Sequence, residues 1–143
     1  MSTRRARPTV GADVTGQWTN PWVAAFLDVG WVLLFVAIGR NSHTEGVTLA
    51  GVAETAWPFL VGLALGWAVI RAWHRPAALV PTGVVVWLVC VGTAMALRLV
   101  SGQGAAGAFI VVALAFVGLG LVGWRTGAVV IERRRARDGA PQA

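Results

Sequence analysis

Residues 21–39 read PWVAAFLDVGWVLLFVAIG, an apolar run with a single charge, Asp28. An α-helix rises 1.5 Å per residue, so about 20 apolar residues cross about 30 Å of hydrocarbon, and this run suffices. Three more runs match it, at roughly residues 57–73, 79–100 and 105–124, the last with room to continue to Ile131. No segment alternates with a period of two over barrel length, and open sheet edges cannot be satisfied in lipid. The expected fold is therefore an all-α membrane protein, a four-helix transmembrane bundle over residues 21–131.

Composition agrees. Of 143 residues, 57% are apolar and 13% charged, too oily for a soluble globule of this size. The net charge of +6 does not point to nucleic acid. The arginines fall in short clusters between apolar runs, where anionic lipid headgroups are the natural counter-ions. All twelve cations are arginine, and Ala, Gly and Val are abundant. Such usage suggests GC-rich coding, hence the plasma membrane of a bacterium or archaeon. Cys90 is the one cysteine and lies in an apolar run, which leaves no disulfide framework and makes a buried, inert thiol the default.

Arginine is retained on the cytoplasmic side of short loops. With the N-terminus inside, the cytoplasmic segments hold Arg4, Arg5, Arg7, Arg71, Arg75, Arg125, Arg133, Arg134, Arg135 and Arg137, against Arg40 and Arg98 on the other side. The bias predicts both termini in the cytoplasm. Trp18, Trp22, Trp57, Trp73 and Trp124 fall at predicted span ends, suited to the headgroup level, while Trp31, Trp67 and Trp87 lie deeper and should pack between helices. A long polar leader and Asp28 argue against cleavage of the first run as a signal peptide. Residues 1–20 and 132–143 are polar, basic tails expected to be disordered.

Phe59–Trp67 (FLVGLALGW) resembles Phe116–Trp124 (FVGLGLVGW), and Arg40 and Arg98 each close the preceding span, which hints at two duplicated hairpins of parallel orientation. Small residues spaced at four, Gly62 with Gly66 and Gly92 with Ala96, together with Gly120, point to close helix packing in a tight bundle or a homo-oligomer. Glycine-rich coding is the bland alternative.

Asp28 is the one acid inside a predicted span, about 9 Å from its cytoplasmic end. An aspartate at the bilayer centre costs about 2.5–3.5 kcal/mol, so it should face the bundle. Its default role is a pair with Arg71 or Arg125, or a hydrogen bond to Thr82; the sharper alternative is a proton- or cation-handling carboxylate. At the other membrane face lies GRNSHTEG, residues 39–46. It gathers Arg40, Ser42, His43 and Glu45, and Glu54 and Arg98 fall on the same side as a ligand or partner cluster. Pro58 reads first as part of the opening turn of a helix beginning near Trp57. In the alternative, a helix capped by Thr48 runs through Pro58 with a kink and frees the Glu54 carbonyl for a cation or water.

One histidine with two glutamates has no fixed ligand spacing, so no metal or other cofactor is expected. Ser42, His43 and Glu45 lack the nucleophile elbow of a hydrolase, and phosphate-binding loops are absent, so no enzyme is expected. His74, in the turn Trp73-His74-Arg75-Pro76, suits a headgroup contact.

Several blocks together resemble a known family: Gly39-Arg40-x-Ser42-His43-x-Glu45-Gly46, Glu54-Thr55-Ala56-Trp57-Pro58-Phe59, Arg71-Ala72-Trp73 before Pro76, Pro81-Thr82-Gly83-Val84-x-Val86-Trp87, and Arg98 with Ser101-Gly102. The sequence is similar over residues 22–126 to the bacterial and haloarchaeal membrane proteins grouped as DUF3054. That resemblance implies a membrane protein and carries no activity, substrate or cofactor. From the residues, two functions compete: a small oligomeric transporter or channel-like protein with an outer polar cluster, or a non-transporting accessory or scaffold subunit that binds lipid or a partner protein.

Overall fold

The computed structural model describes residues 20–41 and 47–138. Four long helices form there: α1 Pro21–Asn41, α2 Leu49–Ile70, α3 Val84–Val100 and α4 Gly107–Asp138. All are long and apolar enough to span a membrane, α3 together with the turn Leu79–Gly83 that leads into it, yet only 28–33% of each apolar window is buried within the chain. Trp22 and Phe26 are each 80% exposed. Surfaces of this kind need lipid, and the chain is a multi-pass, all-α membrane protein.

Sequence neighbours are spatial neighbours, and α4 closes the ring against α1. Asn20 starts α1 by accepting the Trp22 amide at 2.9 Å, with Pro21 in the first helical position where its missing N–H costs nothing. The seam between α2 and α3 is the closest, because Gly62 lies against the Cys90 backbone and a Cβ at Gly66 would be 3.1 Å from Val86 Cα. The Cys90 thiol donates across this seam to the Phe59 carbonyl at 3.4 Å. Gly118 and Gly120 serve differently. The Trp87 indole rests on the first and the Trp31 indole on the second, and each donates to the carbonyl one turn earlier, Leu114 at 3.0 Å and Phe116 at 2.9 Å. A side chain on either glycine would fill the space its indole occupies.

Three expectations need correction. α2 starts at Leu49, with Thr48 as its cap (Gly51 amide to Thr48 Oγ1, 3.2 Å), and Pro58 lies inside it instead of opening it. The reason is distant in sequence: proline leaves the Glu54 carbonyl without a helical donor, and the Gln103 side-chain amide donates to it at 3.1 Å. Residues 132–138 of the expected disordered tail are helical, continuing α4 to Asp138. Trp124, placed at a span end, is therefore well inside α4 and half-buried. Of the small-residue pairs, Gly92 and Ala96 lie outside the packing of this bundle, both exposed and Gly92 with open space around it, which leaves the homo-oligomer alternative for them. At 100° per residue Gly92 lies about 200° around α3 from Cys90, on the face opposite the α2 seam.

Candidate functional site

Two arginine sites lie at opposite ends of the bundle. At the end where α1 begins, Asp28 and Arg125 are both fully buried and form a two-pronged ion pair, Nη2 to Oδ2 at 2.7 Å and Nη1 to Oδ1 at 2.9 Å. Two indoles complete the carboxylate: Trp67 Nε1 donates to Oδ2 at 2.9 Å and Trp124 Nε1 to Oδ1 at 2.8 Å. A carboxylate has about four acceptor positions, and here four donors occupy them. Two further Arg125 donors go to backbone, Nε to the Pro76 carbonyl at 2.9 Å and Nη1 also to the Leu121 carbonyl at 2.5 Å. Pro76 belongs to the connection that follows Arg71, which closes α2 in the left-handed conformation (φ 50°, ψ 52°) and leads into the 3-10 turn Ala72–His74. A Cβ at Gly83 would stand 2.9 Å from Arg125 Cδ, so the small residue makes room for the guanidinium stem.

One charge pair thus ties α1, α2, α4 and the α2–α3 connection together. Arg125, rather than the exposed Arg71 or the buried Thr82, takes the carboxylate. Trp67 and Trp124 are the residues that sequence reasoning missed as ligands of Asp28. A signal existed, since they occupy matching positions in the two similar segments. Phe59 and Phe116, also matching, both pack on Phe35 of α1, with ring centroids 5.4 and 5.5 Å away. Corresponding residues of α2 and α4 therefore address the same two residues of α1.

At the other end, α3 closes with Gly102 at φ 77°, a conformation that favours glycine, and with the Gln103 amide donating back to the Arg98 carbonyl at 2.9 Å. This turn brings Gln103 and Gly104 back over Arg98. Its Nε donates to the Gly104 carbonyl at 3.0 Å, Nη1 to Gln103 Oε1 at 3.0 Å and Nη2 to the Gln103 carbonyl at 3.4 Å, and its guanidinium carbon lies 4.5 Å from the Phe109 ring centroid. Arg40, in the last turn of α1, donates from Nη1 to Thr55 Oγ1 at 3.2 Å and packs on Gly51. Arg40, Thr55 and Arg98 line a cleft of about 510 Å³ whose other described lining residues are Phe35, Val36, Gly39, Ala106, Ala108, Phe109 and Val112.

Of the outer cluster, Arg40 and Arg98 therefore share one cleft, while the Glu54 side chain is exposed and does not line it. Ser42, His43 and Glu45 lie outside the described residues. The Glu54 carbonyl, a potential cation ligand in the kinked-helix alternative, is taken by Gln103. Among the described residues no group of three His, Cys, Asp or Glu side chains could hold a metal ion.

No curated protein and no solved structure matches the chain. The sequence profile of the family described as "Protein of unknown function (DUF3054)" matches residues 25–128, most of the chain and all four helices in whole or part; the chain belongs to that family.

Proposed function

We propose that this protein is a non-catalytic, non-transporting accessory module of a prokaryotic plasma membrane, with both termini cytoplasmic, that binds lipid or a partner protein. The observation that carries this reading is the saturation of Asp28. Among the described residues it is the one buried acid, and four donors from Arg125, Trp67 and Trp124 fill its acceptor positions. A carrier needs a carboxylate that exchanges its partner for a proton or cation in the course of a cycle. This one has exchanged water for a fixed cage, which suits a structural clasp.

The arginine distribution supports the inward termini, and the basic C-terminal end of α4 suits anionic headgroups or an acidic partner. One feature favours the competing reading of an oligomeric transporter with its path between copies: Gly92 and Ala96 present a small-residue face outward on α3.

Proteoliposomes decide between them. Purified protein should give no proton, sodium, potassium or chloride flux above protein-free vesicles. Flux that disappears in Asp28→Asn while the bundle stays folded would overturn the accessory reading. For orientation, a cysteine introduced at Ser42 should react with an impermeant thiol reagent added to whole cells, and one at Thr126 should not.

A further inference from the structure

We propose that the cleft between Arg40 and Arg98 is a binding site for one anionic phospholipid of the surrounding bilayer, with its phosphate on Arg98 and the start of an acyl chain against Phe35 and Val112. The proposal deepens the accessory reading and rests on it, by naming what the module binds.

The first argument is the donor count on Arg98. A guanidinium carries five N–H groups, and the bonds to Gly104 and Gln103 use one on each nitrogen. One N–H remains on each terminal nitrogen, free of these bonds and able to donate to the oxygens of a phosphate. Its partners so far are neutral oxygens and a ring face, and among the described residues no carboxylate lies within ion-pair distance of it. The loop fixes the guanidinium in place without cancelling its charge. Arg98 is thus preorganised for an anion, and little side-chain freedom is left to lose on binding.

The second argument is the shape and chemistry of the cleft. Among the described residues its polar groups are two arginines and the Thr55 hydroxyl, and none of the described lining residues is an acid. Below them the wall is apolar. From Arg40 to Phe35 it descends about 7 Å along α1. Val112 lines this lower part while remaining 54% exposed on the lipid-facing side of α4, so the cleft opens sideways into hydrocarbon as well as toward the headgroups. A volume of about 510 Å³ exceeds what an inorganic anion needs and suits a phosphate, its glycerol and a few methylenes. Charge at the top, an apolar floor and a lateral mouth describe an amphiphile that arrives from the membrane.

The test uses the full-length protein in nanodiscs of phosphatidylcholine doped with phosphatidylglycerol, extracted into mild detergent and examined by native mass spectrometry for retained lipid. One phosphatidylglycerol per chain should be retained in preference to phosphatidylcholine. Arg98→Gln should weaken retention by roughly tenfold or more, as loss of a charged hydrogen-bonding partner implies. Val112→Trp, which keeps every charge and fills the lower cleft, should weaken it too and covers the case in which Arg98→Gln disturbs the turn. Val69→Trp, on an exposed apolar face of α2 outside the cleft, should leave retention unchanged. Equal retention of both lipids, or full retention in both cleft variants, would overturn the proposal. Competition by free glycerol phosphate as effective as by short-chain phosphatidylglycerol would overturn the acyl-chain half, leaving a soluble phosphate as the ligand. Retention at Arg98 combined with ion flux would sink the accessory reading and leave the lipid site standing, whereas loss of retention without flux would do the reverse.

Discussion

Arg125 and Arg98 are the same residue under opposite solutions to one difficulty, a guanidinium on a membrane helix. Arg125 is wholly buried and neutralised by Asp28, whose other acceptor positions go to Trp67 and Trp124. Arg98 is half-buried, held by neutral oxygens of its own turn and by the Phe109 face, and borders a cleft. A closed charge pair gives its binding capacity to the fold. A charge positioned by uncharged groups keeps that capacity for something else.

The contrast can be broken most forcefully at Asp28. Asp28→Leu leaves Arg125 buried without its counter-ion, and unfolding in mild detergent should show a loss of about 3–5 kcal/mol. The double variant Asp28→Leu with Arg125→Leu should recover much of that loss; a double variant as unstable as the single one would mean that packing, not charge, carries the site. Next, Trp67→Phe and Trp124→Phe each remove one donor to a charged acceptor and should cost about 1.5–3 kcal/mol by the same measurement. At the other end Gln103→Ala removes the donor to the Glu54 carbonyl and one partner of Arg98, for about 0.5–1.5 kcal/mol. Arg98→Gln should change stability least, by about 1 kcal/mol or less, while weakening lipid retention by roughly tenfold or more. A large loss of stability there would erase the distinction between the two arginines.

The spans were legible because apolar length is a one-dimensional property that a single segment displays by itself. So was the pairing of Asp28 with Arg125, since depth along two such segments limits the partners to a few. The Trp67 and Trp124 donors were not legible: an indole inside a span reads as packing, and one at a predicted span end reads as an interfacial anchor. Pro58 shows the same difficulty. Nothing local distinguishes a proline in a first helical turn from one within a helix, and what settles it is a carbonyl satisfied by Gln103, 49 residues away. The cleft escaped for a related reason, because Thr55, Phe109 and Val112 are ordinary residues until four helices meet around them.

The length of α4 has a mechanical consequence. Its 32 residues make a rod of about 48 Å, against hydrocarbon about 30 Å thick, so about 18 Å of it must either stand clear of the bilayer or be taken up by leaning. Upright, it is a mast that carries Arg133, Arg134, Arg135 and Arg137 clear of the hydrocarbon; inclined, it lowers them toward the bilayer surface. The tilt of this one helix then sets the height at which four guanidinium groups stand.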